Sequence, residues 1–196
     1  MQSIFNLKNA ITNILSGKTK ILEVSYFSQE GVNAHKFAND CGTACAKSVL
    51  TYYGKTAVGT IDQLSSMTTL AQHDNGLIVS AVVNLLAKFG VGSTYTKNVT
   101  IDKIKNEIDE GRPVIALINY GYIARQNIPD HFGHYVTVCG YDDLGVIILD
   151  SDYWGQHILD GNKIHHPYAR FSKALVNSPA PNVCIFMNKT RDKNYD

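Results

Sequence analysis

Residues 133–155 read GHYVTVCGYDDLGVIILDSDYWG, and this stretch decides the fold. From His134 to Tyr141 apolar and polar residues alternate, the period of a half-buried β-strand. Val146–Asp150 (VIILD) is a short apolar run, and Asp142, Asp143 and Gly145 between the two are turn residues. The expected unit is an antiparallel hairpin. With a turn near 142–144, facing residues carry numbers summing to about 284–288. Asp150 then falls opposite roughly 134–138, and His134 shares its parity, so the two side chains can meet. A carboxylate set against an imidazole fixes the ring's tautomer and stabilises the imidazolium formed on taking a proton. The hairpin would therefore hold an oriented base.

Working outward from the hairpin, Val114–Asn119 (VIALIN) follows Pro113 as a continuous apolar run, as expected of a buried strand, and Val183–Met187 (VCIFM) is another. Upstream the periodicity is mainly helical. Helices are expected over Gln2–Ser16, Cys41–Tyr53, Ile61–Ala71, Leu77–Phe89 and Thr100–Glu110, with Gly54, Gly90 and Gly111 placed to stop three of them. Thr100 would cap its helix, and Asp40 or Asn39 the one beginning at Cys41. Ile21–Phe27 (ILEVSYF) alternates like a short strand, and Ser28–Asp40 is a polar loop. Helices first and strands last suggest an α+β fold, helices packed on an antiparallel sheet. A single domain over 1–196 is expected, with 1–20 a helical extension and 21–190 the core.

The chain has 196 residues, 44 % of them apolar, which suits one domain with a real core. A formal net charge of +1 with no basic block offers no footprint for nucleic acid or an acidic membrane. The first twenty residues space their apolar side chains helically, unlike a secretion signal, and no stretch is long enough to insert in a membrane. Four cysteines are too few for a disulfide scaffold. A reduced, cytoplasmic setting is the default expectation, with non-classical export left open. Oligomeric state is not written in these residues.

The nucleophile is sought in NDCGTACAKSVLTYYG (Asn39–Gly54), where two cysteines stand one helical turn apart. Cys41 falls in the first turn, where unpaired amides favour a thiolate. Gly42 would leave the approach to its sulfur open. Cys45 lies on the stripe of Val49 and reads as a small buried hydrophobe, as do Cys139 and Cys184. Cys139 has the opposite strand parity to His134 and would face away from it. A thiol at a helix start with an oriented imidazole is the general activated-nucleophile arrangement.

Four segments together resemble the papain-like cysteine peptidases of the C39 type, especially the stand-alone C39-like domains. They are VSYFSQ (Val24–Gln29), NDCGTACAKSVLTYYG, EGRPVIALI (Glu110–Ile118) and the hairpin stretch, in the family's order. The resemblance implies a papain-like fold with Cys41 as nucleophile, His134 as general base and Asp150 as the residue orienting it. Gln29 would join the backbone amide of Cys41 in an oxyanion hole. It also implies hydrolysis of peptide bonds in a peptide or protein substrate, through a thioester acyl-enzyme and with no metal or organic cofactor. A glutamine deamidase or acyltransferase using the same triad, and a catalytically silent binding module, stay open as alternatives. Two positions depart from the pattern. Gln29 lies twelve residues before Cys41 (41 − 29 = 12), where transporter-linked members keep it about half a dozen away; His35 occupies that closer place, and Asn33 or Asn39 are alternative donors. Ser151 follows Asp150 where the family usually has proline.

The remaining histidines and aromatics are weighed in the same way. His131 with His134, and His165 with His166, invite a zinc reading, but no ligand set of usual spacing accompanies them. His157, His165 and His166 are expected in exposed loops. Tyr120, Tyr122 and Arg125 lie in a segment before His134 read as a loop that could border the substrate cleft; for each one separately a solvated surface position is the preferred expectation. Tyr153 and Trp154 would either shield the His134–Asp150 pair or close that end of the sheet.

Overall fold

In the computed structural model, residues 19–29, 39–68, 76–123 and 132–188 are described. The expected helix at Gln2–Ser16 lies outside them, as do His35, His73, His131, Asn33 and Arg125. The described elements are β1 (Lys20–Ile21), α1 (Cys41–Tyr52), α2 (Ile61–Ser66), α3 (Val79–Lys88), β2 (Ser93–Thr96), α4 (Ile101–Asp109), β3 (Val114–Asn119), β4 (Gly133–Tyr141), β5 (Gly145–Leu149), β6 (Ile164–Pro167), α5 (Tyr168–Val176) and β7 (Cys184–Met187). Single 3-10 turns occur at Tyr120–Tyr122 and Gly155–His157.

All the described strands join one antiparallel sheet in the order β2-β7-β3-β4-β5-β6, and β1 pairs with the far end of β4. The hairpin register fits the expectation: Thr137 faces Leu149 and Val138 faces Ile148, each pair summing to 286. A bulge between Val138 and Gly140 then shifts the pairing by one residue. Cys139 sits at this bulge, and its thiol donates to the Ile147 carbonyl at 3.6 Å.

Strand alternation splits the core in two. Ile115, Tyr135, Ile185 and Met187 pack with Val49 and Leu50 of α1, Leu64 of α2 and Val82, Leu85 and Leu86 of α3. Val114, Ala116, Ile118, Val136 and Val138 pack with Ile104 and Ile108 of α4 and Phe171 and Leu175 of α5. Helices therefore cover both faces of the sheet.

Several element ends differ from the sequence expectation, for local reasons. Leu22 and Val24 are buried and their neighbours exposed, as a strand requires, but only Lys20–Ile21 enters the ladder because Val24 N–H turns back to the Leu22 carbonyl. α2 stops at Ser66; the Ser66 and Thr68 hydroxyls bond back to Gln63 O and Ser65 O, competing with helix continuation. Leu77 stays outside α3, its carbonyl accepting from the Tyr135 hydroxyl at 3.0 Å, and Ile78 is extended. Thr100 caps α4 as expected, accepting from Lys103 N–H. Gly54 and Gly111 take the left-handed backbone, at φ +75° and +73°, that ends α1 and α4.

Candidate active site

Cys41 is the first residue of α1, and Asp40 occupies the cap position. The capping expectation is corrected in one respect: the Asp40 carboxylate makes no side-chain cap bond. It is buried and accepts instead from Ser65 Oγ, which also contacts Thr43 Oγ1 at 3.1 Å. Asp40 thereby ties the head of α1 to α2. Gly42 also has a packing role. A Cβ there would lie 3.1 Å from Val82 and 3.2 Å from Tyr135, so the missing side chain lets α1 seat against α3 and β4. Cys45 is buried one turn below; burial pushes its thiol well above the usual range.

His134 is the second residue of β4, and Asp150 immediately follows β5. Their side chains meet: His134 Nε2 lies 2.8 Å from Asp150 Oδ1, with both residues 1 % exposed. The carboxylate has two further donors. The Asp152 backbone N–H reaches Oδ1 at 3.1 Å, and the Tyr120 hydroxyl donates to Oδ2 at 3.0 Å. With Nε2 committed to Asp150, Nδ1 is the ring nitrogen left for Cys41, which lines the same cleft as His134. Burial alone would drive His134 towards its neutral form. The Asp150 carboxylate and the Cys41 sulfur outweigh that and raise its pKa to about 10. Burial likewise works against the Asp150 carboxylate, but the His134 imidazole, the Asp152 amide and the Tyr120 hydroxyl hold it below its ordinary range.

Gln29 comes to the same place from the other side. Its backbone N–H donates to Ser151 O at 3.0 Å, its Oε1 accepts from Ser151 Oγ at 3.0 Å, and its Nε2 donates to Asp152 Oδ1 at 3.4 Å. Ser28 Oγ adds a 2.7 Å bond to the Tyr153 carbonyl. Gln29, Asn39, Cys41 and His134 line one cleft of about 480 Å³, whose other walls are largely apolar: Leu77, Ile78, Leu117, Phe132 and Pro179. All four candidate side chains are thus brought together, and Asn39, an alternative donor, also lines the cleft.

Tyr120 was expected on a solvated loop; it is instead 2 % exposed, its ring centroid 4.2 Å from that of His134. The position directly after an apolar strand whose partner begins at the histidine was the available signal. Tyr153 is buried while Trp154 is 45 % exposed, so of the two only Tyr153 is placed inside the protein. His165 is exposed but lies on β6, not in a loop, where it meets Asp142 at 3.1 Å. His166 corrects its expectation fully: it lies on β6, 5 % exposed. Burial and the nearby Arg170 cation lower its pKa to about 4. Alternation along β6 turns one of the two histidines inward, which a loop reading could not anticipate.

Among the described residues no group of three or more His, Cys, Asp or Glu side chains could hold a metal ion, and no helix is long and apolar enough to cross a membrane.

The chain shares its fold with solved peptidase structures. A Bacillus anthracis protein assigned as a C39-like peptidase superposes with a TM-score of 0.68 at 15 % identity, covering 89 % of this chain and 100 % of that one. A double glycine motif protease from an AMS/PCAT transporter, solved in complex with the leader peptide, gives 0.60 at 18 % identity over 87 % and 95 % of the two chains. The peptidase domain of Streptococcus ComA, a bifunctional ABC transporter, gives 0.55 at 21 % identity over 76 % and 91 %. The architecture is thus the α+β, papain-like fold of C39-type peptidase domains. No curated protein matches the chain in sequence. The sequence profile of the Peptidase C39 like family matches residues 21–175. With most of its length inside that match, the chain belongs to the Peptidase C39 like family.

Proposed function

We propose that the chain is a cysteine peptidase that cleaves peptide bonds with Cys41, His134, Asp150 and Gln29. The observation that carries this reading is the buried His134–Asp150 pair, closed at 2.8 Å, in one cleft with a cysteine at a helix start. Asp150 fixes the imidazole by accepting from Nε2–H, and the remaining ring nitrogen takes the Cys41 proton. The Cys41 sulfur attacks the scissile carbonyl carbon. The oxyanion so formed is received by the Cys41 backbone N–H, at the start of α1, and the Gln29 side-chain amide. As the C–N bond breaks, the imidazolium returns its proton to the leaving amine, leaving a thioester on Cys41. A water, deprotonated by His134, then hydrolyses the thioester and frees the thiol. The apolar cleft walls suit a peptide with an apolar side chain near the scissile bond, and a neighbour of this fold has been solved with a leader peptide bound.

The test has two arms. Iodoacetamide alkylation of Cys41 should proceed below neutral pH and slow markedly in His134→Ala. A rate that rises only above about pH 8 and ignores that substitution would overturn the reading. A peptide library analysed by mass should show backbone cleavage that Cys41→Ala abolishes; a one-dalton gain or an adduct without cleavage would indicate deamidation or acyl transfer instead.

A further inference from the structure

Ser151 directly follows Asp150, and its hydroxyl touches the proposed oxyanion donor, Gln29, at 3.0 Å. We propose that Ser151 is a positioning residue: its side chain aims the Gln29 amide into the cleft. The proposal rests on the oxyanion role of Gln29 given above.

A glutamine side chain has three rotatable bonds, and its amide can present either end to the cleft. Three contacts select one arrangement. The backbone N–H of Gln29 on the Ser151 carbonyl sets where the side chain starts. Ser151 Oγ, donating to Oε1 at 3.0 Å, identifies the oxygen end and holds it away from the substrate. Asp152 Oδ1, accepting from Nε2 at 3.4 Å, draws on one of that nitrogen's two hydrogens and leaves the group's direction defined. Gln29 so held lines the cleft together with Cys41 and His134, and in the proposed arrangement its amide nitrogen is the end offered to the oxyanion. Without the Ser151 hydroxyl the amide could rotate and offer its oxygen to a developing anion, which repels it. Proline at 151 would keep the carbonyl that Gln29 N–H uses but could not make the Oγ bond. Residues 150–152 thus form a short strap. One end orients the base through Asp150 Oδ1, and the other orients the oxyanion donor through Ser151 Oγ and Asp152 Oδ1.

Two probes of Cys41 separate this role from a general structural one. N-acetyl-leucine p-nitrophenyl ester acylates the thiol through a tetrahedral oxyanion and expels nitrophenolate; iodoacetamide alkylates it with loss of iodide and no oxyanion. Gln29→Ala should slow acylation on the order of 100-fold and leave alkylation unchanged. Ser151→Ala should slow acylation about tenfold, again sparing alkylation, and Ser151→Thr should restore it. Ser151→Ala added to Gln29→Ala should change nothing further. If Ser151→Ala fails to fold, Ser151→Cys, close in size and a weak donor, reads the same effect. Full acylation by the Ser151 variants beside a slow Gln29→Ala would overturn the proposal and leave the role of Gln29 standing. Equal slowing of alkylation, or a further loss in the double variant, would show that Ser151 acts elsewhere and overturn it too. Normal acylation by Gln29→Ala would remove the oxyanion reading and the proposal together.

Discussion

The ring of Tyr120 lies against the imidazole of His134, centroids 4.2 Å apart and planes inclined by 34°. Its hydroxyl reaches past the ring to donate to Asp150 Oδ2. Tyr120 thus holds both members of the pair, one by ring contact and one by hydrogen bond. Tyr120→Phe keeps the first and loses the second, so kcat on a cleaved peptide should fall a few-fold with KM little changed. Tyr120→Ala loses both and leaves a cavity beside His134, which should cost about 3–5 kcal/mol of stability. Equal effects of the two variants in thermal melts and kinetics would argue against this division.

Gly161 presses on the backbone of the acid. A Cβ at this position would stand 2.1 Å from the Asp150 carbonyl oxygen and 2.6 Å from the Tyr26 hydroxyl. The Asp150 N–H also donates to the Gly161 carbonyl at 2.9 Å. Gly161→Ala must therefore push the 150–152 segment away, costing about 1–3 kcal/mol and lowering kcat as His134 loses its partner. A variant with unchanged melting and full activity would show that the segment yields freely.

Ser65 connects α2 to the residue before Cys41. Its hydroxyl donates to the buried Asp40 carboxylate, so Ser65→Ala removes a charge-assisted bond and should destabilise by about 1–3 kcal/mol. Because Asp40 sits at the head of α1, the alkylation rate of Cys41 should change with it. Urea unfolding and iodoacetamide kinetics measured on the same samples test both effects. Destabilisation without any change in alkylation would confine Ser65 to the packing of α2.

His166 and His134 act on stability in opposite pH ranges. The folded pKa of His166 is lowered by burial to about 4. The unfolded chain therefore binds a proton first, below about pH 6.5, and stability is lost as the pH falls from there towards 4. The folded pKa of His134 is raised to about 10, so its contribution is complete below about pH 6.5 and is lost as the pH rises through 10. Melting temperatures of His166→Leu should fall less than those of the wild type between pH 6.5 and 4, while the alkaline limb stays the same. An unchanged acid limb would assign it to the carboxylates.

How far the fold could be read depended on how locally each element is determined. β3, β4 and β5 carry apolar residues at strand periods and are bounded by turn residues, and their observed limits agree with the reading to within a residue. α1 was equally clear. β2 (Ser93–Thr96, STYT) and β6 (Ile164–Pro167, IHHP) were missed because they are polar edge strands, recognisable only by what they pair with. α5 follows β6 directly and went unread with it. Within the site, Cys41, His134 and Asp150 could be named from spacing and resemblance, since hairpin register alone brings two of them together. The contacts of Tyr120 and Ser151 could not. Both are hydrogen bonds to residues 30 and 122 positions away in the chain, and no local pattern announces them.

The hairpin built of β4 and β5 has a consequence for how reactivity arises during folding. His134 and Asp150 are only 16 residues apart, a loop that closes early and at small entropic cost. Cys41 lies 93 residues before His134 (134 − 41 = 93), and α1 reaches the imidazole only once it has docked on the sheet. On the proposed mechanism, a nascent or partly unfolded chain therefore carries the thiol without its base. The rate at which Cys41 reacts should then report completed assembly rather than formation of the hairpin.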